Sequence, residues 1–210
     1  MRFVKADAVA FDIANLKQYT DTLYQRSFPL EDKPNGKELH RCKIDNMNNP
    51  REYYRCLAYW GSLFNDSLLI ELGTKFGISA LALSWNARND VLSHDIVNAG
   101  QKTIMKDNIT FRIKNVFVDK VYMRGFLESP FIFIDVQHDG PEEKVLLDFL
   151  IENEYKGITL WDDIYYNQPM KDFWQYAANT GADYNMHNLN NLRPGTGWGV
   201  IDFSKELEIV

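Results

Sequence analysis

LLIELGTKFGISALAL, residues 68–83, has the pattern of a buried strand, a glycine turn and an amphipathic helix. Gly73 and Gly77 let the backbone turn sharply and approach a ligand closely. Thr74 and Ser79 are placed to donate hydrogen bonds near the helix N-terminus, where anionic and nucleotide ligands bind. The stretch therefore predicts a nucleotide-type ligand site at a strand-to-helix turn.

The spacing of the glycines narrows the choice of ligand. A dinucleotide fingerprint has glycines where this chain has Lys75 and Ile78, and a Walker A loop has Gly-Lys-Ser/Thr, which this stretch lacks. Neither phosphate-binding motif is therefore predicted. An acidic residue, Glu71, stands near the end of the strand instead. The alternative interpretation is an ordinary strand-to-helix turn of an α/β domain.

Two further positions favour a nucleoside ligand. In a doubly wound fold such a ligand needs an acceptor for its ribose hydroxyls at the end of the next strand, about 20 residues on. Asp95 ends the β-prone run DVLSHD and supplies that acceptor. The competing interpretation of Asp95 is a helix N-cap or a turn residue. Asn115 follows a third predicted strand, residues 109–113.

Together these positions resemble motif I and its neighbours in the class I S-adenosylmethionine (SAM)-dependent methyltransferases. The resemblance implies a Rossmann-like α/β fold: a mostly parallel seven-stranded sheet with a C-terminal antiparallel hairpin and helices on both faces. It implies that Glu71 approaches the cationic end of SAM, that Asp95 binds the ribose and that Asn115 lies near the adenine. The predicted cofactor-binding residues are Glu71, Gly73, Thr74, Gly77, Ser79, Asp95, Asn115 and Asp135.

Length and composition fit one compact domain. The chain has 210 residues, of which 45% are hydrophobic and 14% aromatic, with 7 prolines. That composition argues against disorder, and the longest apolar runs are too short to span a membrane. The first residues lack the apolar core of a signal peptide, which favours the cytoplasm. Cys42 and Cys56 have no neighbours that would complete a zinc site, so both are predicted to be reduced structural thiols.

The charge of the chain disfavours nucleic acid as a partner. The formal net charge is -6, and the basic residues are scattered. Binding to a phosphate backbone normally requires clustered Lys and Arg side chains. We therefore expect no nucleic-acid partner and no membrane span. The oligomeric state stays open, a homo-oligomer included.

Strands and helices alternate from residue 67 onward, which is typical of a mostly parallel sheet. The strands are predicted at residues 67–72, 91–94, 109–113, 131–135, 157–161 and 197–203. The helices are predicted at residues 78–85, 97–106, 142–154 and 169–178. Residues 182–187 and 198–203 are predicted to form the closing hairpin. The whole chain is interpreted as one methyltransferase domain, with residues 67–210 as the SAM-binding core and residues 1–66 as a helical cap or substrate wall, including helices near 11–24 and 50–64.

Carboxylates follow the fourth and fifth predicted strands. Asp135 ends FIFID, and Asp162 and Asp163 end GITLWDD. Ligands of open parallel sheets bind at the carboxyl ends of the strands, so these side chains are expected to converge there. Three close carboxylates repel one another, and a hard divalent cation such as Mg²⁺ neutralises such a group.

This arrangement is similar to that of metal-dependent O-methyltransferases, among them catechol and macrolide-sugar enzymes. The resemblance implies that Asp135, Asp162 and Asp163 bind Mg²⁺ or Mn²⁺ and that His138, with Asp135, is catalytic as the general base. A histidine suits that task because its ordinary pKa lies near neutral pH. The alternatives are carboxylates that cap turns without metal, and a lone surface histidine. His40, His94 and His187 are interpreted as surface histidines.

The acceptor is the least constrained part of the prediction. Trp161, Tyr165, Tyr166 and Trp198 are expected near the active face, where aromatic rings flanked by Asn167, Asn188 and Asn190 would suit a sugar. Core packing is the competing explanation for these aromatics. The stretch from Asp162 to Trp174 and the turn GTGWG resemble a methyltransferase group that decorates glycans and deoxysugars. The predicted activity is therefore metal-assisted O-methylation of a sugar or glycan hydroxyl. The alternatives are a metal-independent methyltransferase for a phenol or amine, and a non-catalytic binding module.

Overall fold

The computed structural model of the protein describes residues 1–5, 50–75, 77–97, 106–189 and 195–210. The predicted helix near residues 11–24, most of the one at 97–106, and Cys42, His40 and Asn190 lie outside these ranges. The α-helices of the described part are α1 (Pro50–Ser62), α2 (Ile78–Leu83), α3 (Lys120–Met123), α4 (Pro141–Glu152) and α5 (Gln168–Asn179). A 3₁₀ helix follows α3 at Arg124–Phe126.

The described residues form a seven-stranded sheet and a two-stranded one. The strands are β1 (Arg2–Phe3), β2 (Leu68–Leu72), β3 (Asp90–Asp95), β4 (Ile109–Ile113), β5 (Phe131–Ile134), β6 (Ile158–Trp161), β7 (Asn185–Asn188), β8 (Gly199–Asp202) and β9 (Glu208–Ile209). The larger sheet has the order β4-β3-β2-β5-β6-β8-β7. β2 to β6 are parallel, whereas β8 runs antiparallel to both of its neighbours.

This architecture confirms the predicted Rossmann-like fold, including the antiparallel hairpin of β7 and β8. The central strands are apolar on both faces because helices cover both sides of the sheet. α1 and α2 pack on one face together with Leu69, Phe131 and Phe133. α4 and α5 pack on the other face against Ile70 and Ile132.

Helix boundaries follow from local chemistry. Pro141 and Pro169 occupy the first turns of α4 and α5, where the missing N–H of proline costs nothing. The buried face of α4 includes Leu146, Leu147, Phe149 and Leu150, whereas Val145 is exposed. None of the helices in the described ranges is long and apolar enough to cross a membrane.

Candidate functional site

A cavity of about 380 Å³ opens at the carboxyl ends of β2 to β5. The strand order reverses between β2 and β5, and crevices at such reversals are where open α/β sheets bind ligands. The cavity is lined by Leu72, Gly73, Lys75, His94, Asp95, Ile96, Val97, Lys114, Val116, Phe117, Asp135, Val136, Gln137, His138 and Glu142. The cavity thus includes Gly73, Asp95, Asp135 and His138 among the residues expected from the sequence.

Both glycines of the turn have a left-handed backbone. Gly73 has a φ of 96° and Gly77, the N-cap of α2, has a φ of 79°. The N–H of Gly77 donates to the carbonyl of Thr74 at 2.7 Å, which closes the turn. A Cβ at Gly73 would lie 1.7 Å from the carbonyl oxygen of Asp135. Glycine is therefore required for the turn after β2 to approach the loop after β5.

Glu71 lies beneath this turn and does not line the cavity. The parallel register pairs Glu71 with Ser93, whose hydroxyl donates to Oε2 of Glu71 and also bonds to the hydroxyl of Thr74. Burial raises the pKa of Glu71 to about 8, against the smaller lowering effect of the Ser79 and Ser93 hydroxyls. Glu71 therefore holds a proton over most of the neutral range and ties β2 to β3.

Four more of the predicted cofactor residues also lie off the cavity wall. Thr74 and Ser79 are buried. The side chain of Asn115 accepts the N–H of Phe117 at 3.0 Å, so it stabilises a turn instead. The residues that lie off the wall in this way, besides Glu71, are Thr74, Gly77, Ser79 and Asn115.

Asp95 makes the contacts of a turn residue and also lines the cavity. Its Oδ1 accepts the N–H of Val97 at 3.0 Å in a local turn, and its Oδ2 accepts the N–H of Lys75 at 2.6 Å. Each carboxylate oxygen has a second lone pair, and Asp95 also lines the cavity. The exposed apolar side chains of Ile96 and Val97 line the cavity next to Asp95.

His94 corrects a prediction, because it is buried instead of lying on the surface. Its Nε2 lies 2.9 Å from the hydroxyl oxygen of Tyr122. Burial lowers the pKa of His94 to about 4, so the ring is neutral at physiological pH. The neutral ring of His94, hydrogen-bonded to Tyr122, therefore lines the cavity without presenting a charge to a ligand.

His138 and Asp135 form a close pair at the cavity. Nε2 of His138 lies 3.1 Å from Oδ1 of Asp135 and 3.6 Å from Oδ2 of Asp163. Burial lowers the pKa of His138, but the hydrogen bond that its ring donates to Asp135 and the charges of Asp135, Asp163 and Asp162 outweigh that effect, so the pKa lies above its usual value. The pair has the form of a base held by a carboxylate.

The loop that carries His138 is fastened from two sides. His138 has a φ of 57°, a left-handed conformation that costs energy for a residue other than glycine. Glu143, in the first turn of α4, accepts the N–H of His138 at 3.1 Å and that of Gly140 at 2.9 Å. Asn167, the N-cap of α5, donates to the carbonyl of His138 at 2.8 Å. These contacts hold the strained backbone in place.

Asp162 and Asp163 are buried near this pair. Oδ1 of Asp162 accepts from Nε1 of Trp198 at 2.6 Å and from the N–H of Asp163 at 2.9 Å. The hydroxyl of Tyr53 lies 3.3 Å from Oδ2 of Asp162 and 3.2 Å from Oδ2 of Asp135. The carboxylates therefore converge, and a tyrosine from α1 lies between two of them.

Protein groups lie close to every oxygen of Asp135 and Asp162. The single hydroxyl of Tyr53 is shared by the two Oδ2 atoms, while Oδ1 of Asp135 faces His138 and Oδ1 of Asp162 accepts from Trp198 and Asp163. Across the part of the chain that the structure describes, no group of three or more His, Cys, Asp or Glu side chains could hold a metal ion. The prediction of a metal bound by Asp135, Asp162 and Asp163 is not supported by this arrangement.

The predicted aromatic platform is largely wrong. Trp161 and Trp198 are fully buried, so neither ring can stack on a substrate. Asn188 accepts from Nε1 of Trp174 and thereby serves packing. Tyr166 is the exception: it is 60% exposed, and its ring centroid lies 5.9 Å from that of His138.

Three residues of the site were missed from the sequence: Tyr53, Trp198 as a donor to Asp162, and Glu143. The motif Gly-Pro-Glu-Glu at residues 140–143 is a helix start with an acidic third position, so it could have revealed Glu143 as a capping residue. Tyr53 and Trp198 gave no such signal, because each reaches the site from a distant part of the chain.

Comparisons with known proteins find structural likeness without sequence likeness. No protein-family model matches the chain, and no curated protein matches it. A Podospora anserina methyltransferase with bound S-adenosylhomocysteine (SAH) has a TM-score of 0.60 at 15% identity, over 94% of this chain and 94% of that one. A putative caffeoyl-CoA O-methyltransferase from Staphylococcus aureus has a TM-score of 0.59 at 13% identity, over 91% of this chain and 100% of that one.

A TDP-rhamnose 3'-O-methyltransferase of calicheamicin biosynthesis is also similar. Its TM-score is 0.54 at 14% identity, over 90% of this chain and 93% of that one. Identities this low establish a common fold, and the activity has to be argued from the residues of the site.

Proposed function

We propose that this chain, whose fold is that of the class I SAM-dependent methyltransferases, transfers a methyl group from SAM to a hydroxyl of its acceptor. The observation that carries the proposal is the His138–Asp135 pair at the cavity where the strand order reverses. A base next to the ligand crevice is what oxygen methylation needs, because a neutral hydroxyl is a poor nucleophile.

The cavity supports SAM as the methyl donor. Its volume of about 380 Å³ lies within the usual range of small-ligand sites. Asp95 would accept the ribose hydroxyls, and the carboxylate of Asp135 would face the cationic part of the cofactor. Val97 and Phe117 offer apolar surface to the adenine. Glu71 would act from below, by holding the glycine turn.

The residues of the chain then divide the chemistry between them. SAM, when bound, would supply an electrophilic methyl group on a sulfonium, and its sulfur would keep the electron pair of the broken sulfur–carbon bond as the neutral thioether of SAH. Nε2 of His138 faces Asp135, which leaves Nδ1 to accept the proton of the acceptor hydroxyl as its oxygen bonds to the methyl carbon. Asp135 orients the ring and stabilises the imidazolium that forms. Burial of the surrounding side chains limits the access of water to the reacting oxygen.

A sugar hydroxyl is the acceptor that we propose. The exposed ring of Tyr166 stands beside His138, and aromatic rings suit the apolar faces of sugars. The segment before β2 would supply part of the acceptor wall, since α1 reaches the carboxylates through Tyr53. The similar structure named for TDP-rhamnose methylation agrees with this class of acceptor.

The sequence also predicted assistance by a divalent cation. The proposed reaction contains no step that uses one, because the described residues include no group of three or more His, Cys, Asp or Glu side chains that could hold a metal ion. The same observation favours the second candidate, a metal-independent methyltransferase for a phenol, and the caffeoyl-CoA-type structure is similar in fold.

The proposed function is tested by calorimetry with SAM, followed by a methyl-transfer screen over deoxysugars, their nucleotide-linked forms and simple phenols. We expect SAM to bind the wild-type protein and His138→Ala alike, and turnover to be lost in the variant. Turnover of the wild type should rise with pH to a plateau above the ordinary pKa of histidine, since the pKa of His138 is raised. Full activity of His138→Ala would contradict its role, and absence of SAM binding would contradict the whole proposal. Transfer to phenols alone would favour the second candidate.

A further inference from the structure

Two side chains of the cavity wall, His94 and Lys114, contact one tyrosine that does not line the cavity itself. The hydroxyl oxygen of Tyr122 lies 2.9 Å from Nε2 of His94, and the two rings meet edge to face with a centroid distance of 5.5 Å. Nζ of Lys114 lies 4.1 Å from the centroid of the Tyr122 ring. The hydroxyl and the ring face of Tyr122 therefore serve different neighbours.

The ammonium of Lys114 is also held by a carboxylate. Nζ of Lys114 donates to Oδ2 of Asp119 at 2.8 Å, and Oδ1 of Asp119 accepts the N–H of Tyr122 at 2.9 Å. The hydrogen bond from Lys114, together with that from Tyr122, lowers the pKa of Asp119, so its carboxylate stays ionised opposite the ammonium. Because Asp119 is the N-cap of α3, the start of this helix fixes Tyr122 and Lys114 relative to each other.

Both side chains belong to the part of the cavity that we propose for the nucleoside of SAM. His94 precedes Asp95, the proposed acceptor for the ribose, and its carbonyl accepts the N–H of Gly73 at 2.8 Å. Lys114 follows β4 and lines the cavity together with Phe117, which would contact the adenine. An ammonium has three donors and no acceptor, so Lys114 can serve only an acceptor atom of a ligand there.

We propose that Tyr122 is a positioning residue for the nucleoside end of the cavity, with its ring holding Lys114 towards a ligand acceptor and its hydroxyl holding His94. Tyr122 acts on the ligand only through these two side chains. The identity of the ligand as SAM rests on the proposed function, whereas the contacts of Tyr122 do not. A long side chain that is already ordered loses less freedom on binding, so the ordering of Lys114 strengthens the binding of a ligand.

Two substitutions of Tyr122 separate the ring from the hydroxyl. Tyr122→Phe keeps the ring face beside Lys114 and removes the hydroxyl beside His94, whereas Tyr122→Leu removes both. We expect SAM to bind Tyr122→Leu about two- to tenfold more weakly than Tyr122→Phe, as measured by calorimetry. In a Lys114→Met background the two variants should bind SAM equally, because the ring then has no ammonium to position. A difference that persists with Lys114→Met, or no difference while Lys114 is present, would overturn the proposal.

Tyr176 supplies a matched control away from the cavity. Nζ of Lys144 lies 3.9 Å from the centroid of the Tyr176 ring and 3.0 Å from Oδ2 of Asp148, and none of the three lines the cavity. Tyr176→Leu therefore removes the same kind of ring contact to an ion-paired lysine. We expect Tyr176→Leu and Tyr176→Phe to bind SAM alike. A difference as large as that between the Tyr122 variants would show a general effect of the lost ring and would also overturn the proposal.

Nuclear magnetic resonance supplies a measurement that needs no ligand. The ring of Tyr122 shields the protons next to Nζ of Lys114, so their signals should move downfield in Tyr122→Leu and stay in place in Tyr122→Phe. The ¹⁵N signal of Nε2 of His94 should move in both variants. Unchanged Lys114 signals in Tyr122→Leu would overturn the proposal. If SAM binds none of these proteins, the proposed function fails, and the signals still decide whether Tyr122 holds both side chains.

Discussion

Gly73 meets two requirements of the site, a backbone conformation and a close contact. Its φ of 96° is costly for residues with a side chain, and its α-carbon lies against the backbone of Asp135. The sequence suggested that this glycine makes room for a ligand. The structure adds that it makes room for the loop that carries Asp135, so the turn and the His138–Asp135 pair are coupled through one residue.

Substitution of this glycine should therefore cost more than backbone strain alone. In Gly73→Ala the new Cβ would overlap the Asp135 carbonyl, so we expect a loss of stability above the roughly 1–2 kcal/mol of left-handed strain, together with reduced turnover. Gly181→Ala is the matched control, since Gly181 has a φ of +69° and nothing within 4 Å of its added Cβ. The two variants are compared by thermal unfolding, and equal melting temperatures would contradict the contact.

Glu71 makes the stability of the protein depend on pH. Its pKa is about 8 in the folded chain and 4.5 as the ordinary value. Between these values the unfolded chain releases the proton while the folded chain keeps it, so the free energy of unfolding falls as pH rises. The slope approaches about 1.4 kcal/mol per pH unit, and the effect levels off above the folded pKa.

The variant Glu71→Gln should remove this dependence, because glutamine does not titrate. We expect the stability of the wild type relative to Glu71→Gln to fall steadily between about pH 5 and about pH 8, as measured by urea unfolding. Glu128→Gln changes an exposed glutamate and serves as the control. Parallel pH curves for the wild type and Glu71→Gln would show that Glu71 is ionised in the folded protein.

At the scale of the elements, the first turn of α4 acts as a clamp on the preceding loop. Glu143 is buried and accepts N–H groups of His138 and Gly140, so the helix start and the loop share one side chain. α1 contributes in a similar way, since it brings Tyr53 to the carboxylates after β5 and β6. The site is therefore built by helix ends and faces as well as by the strands.

Loss of this clamp should affect turnover more than cofactor binding. In Glu143→Ala the strained backbone of His138 loses an acceptor, and misplacement of the base by about 1 Å costs about 100-fold in rate. We expect kcat to fall by about 10- to 100-fold with SAM affinity nearly unchanged, as measured by steady-state kinetics and calorimetry. Glu152→Ala, at the exposed far end of α4, is the control. A change in SAM affinity with kcat unaltered would contradict the role of the clamp.

For the molecule as a whole, the centre of the larger sheet could be predicted because β2, β5 and β6 are short, mostly apolar runs. The strands of two residues, β1 and β9, carry no such pattern, and neither does the short helix α3. The site could be predicted where it follows strand ends, as Asp95, Asp135 and His138 do. The site could not be predicted where contacts between distant parts of the chain place a residue. Tyr53, for example, is separated by 82 residues from Asp135 and by 109 residues from Asp162 along the chain.

Because β8 lies between β6 and β7, β7 can join the sheet only after β8 has been synthesised. β7 leaves the ribosome before β8, yet in the larger sheet of the described chain it pairs with β8 alone, so it must wait for its later neighbour. Trp198 arrives just ahead of β8 and brings the donor that fixes Asp162. A nascent chain in which only β2 to β6 have formed would thus have the crevice but lack the Trp198 donor to Asp162. The acidic cluster becomes complete when β8 pairs with β6.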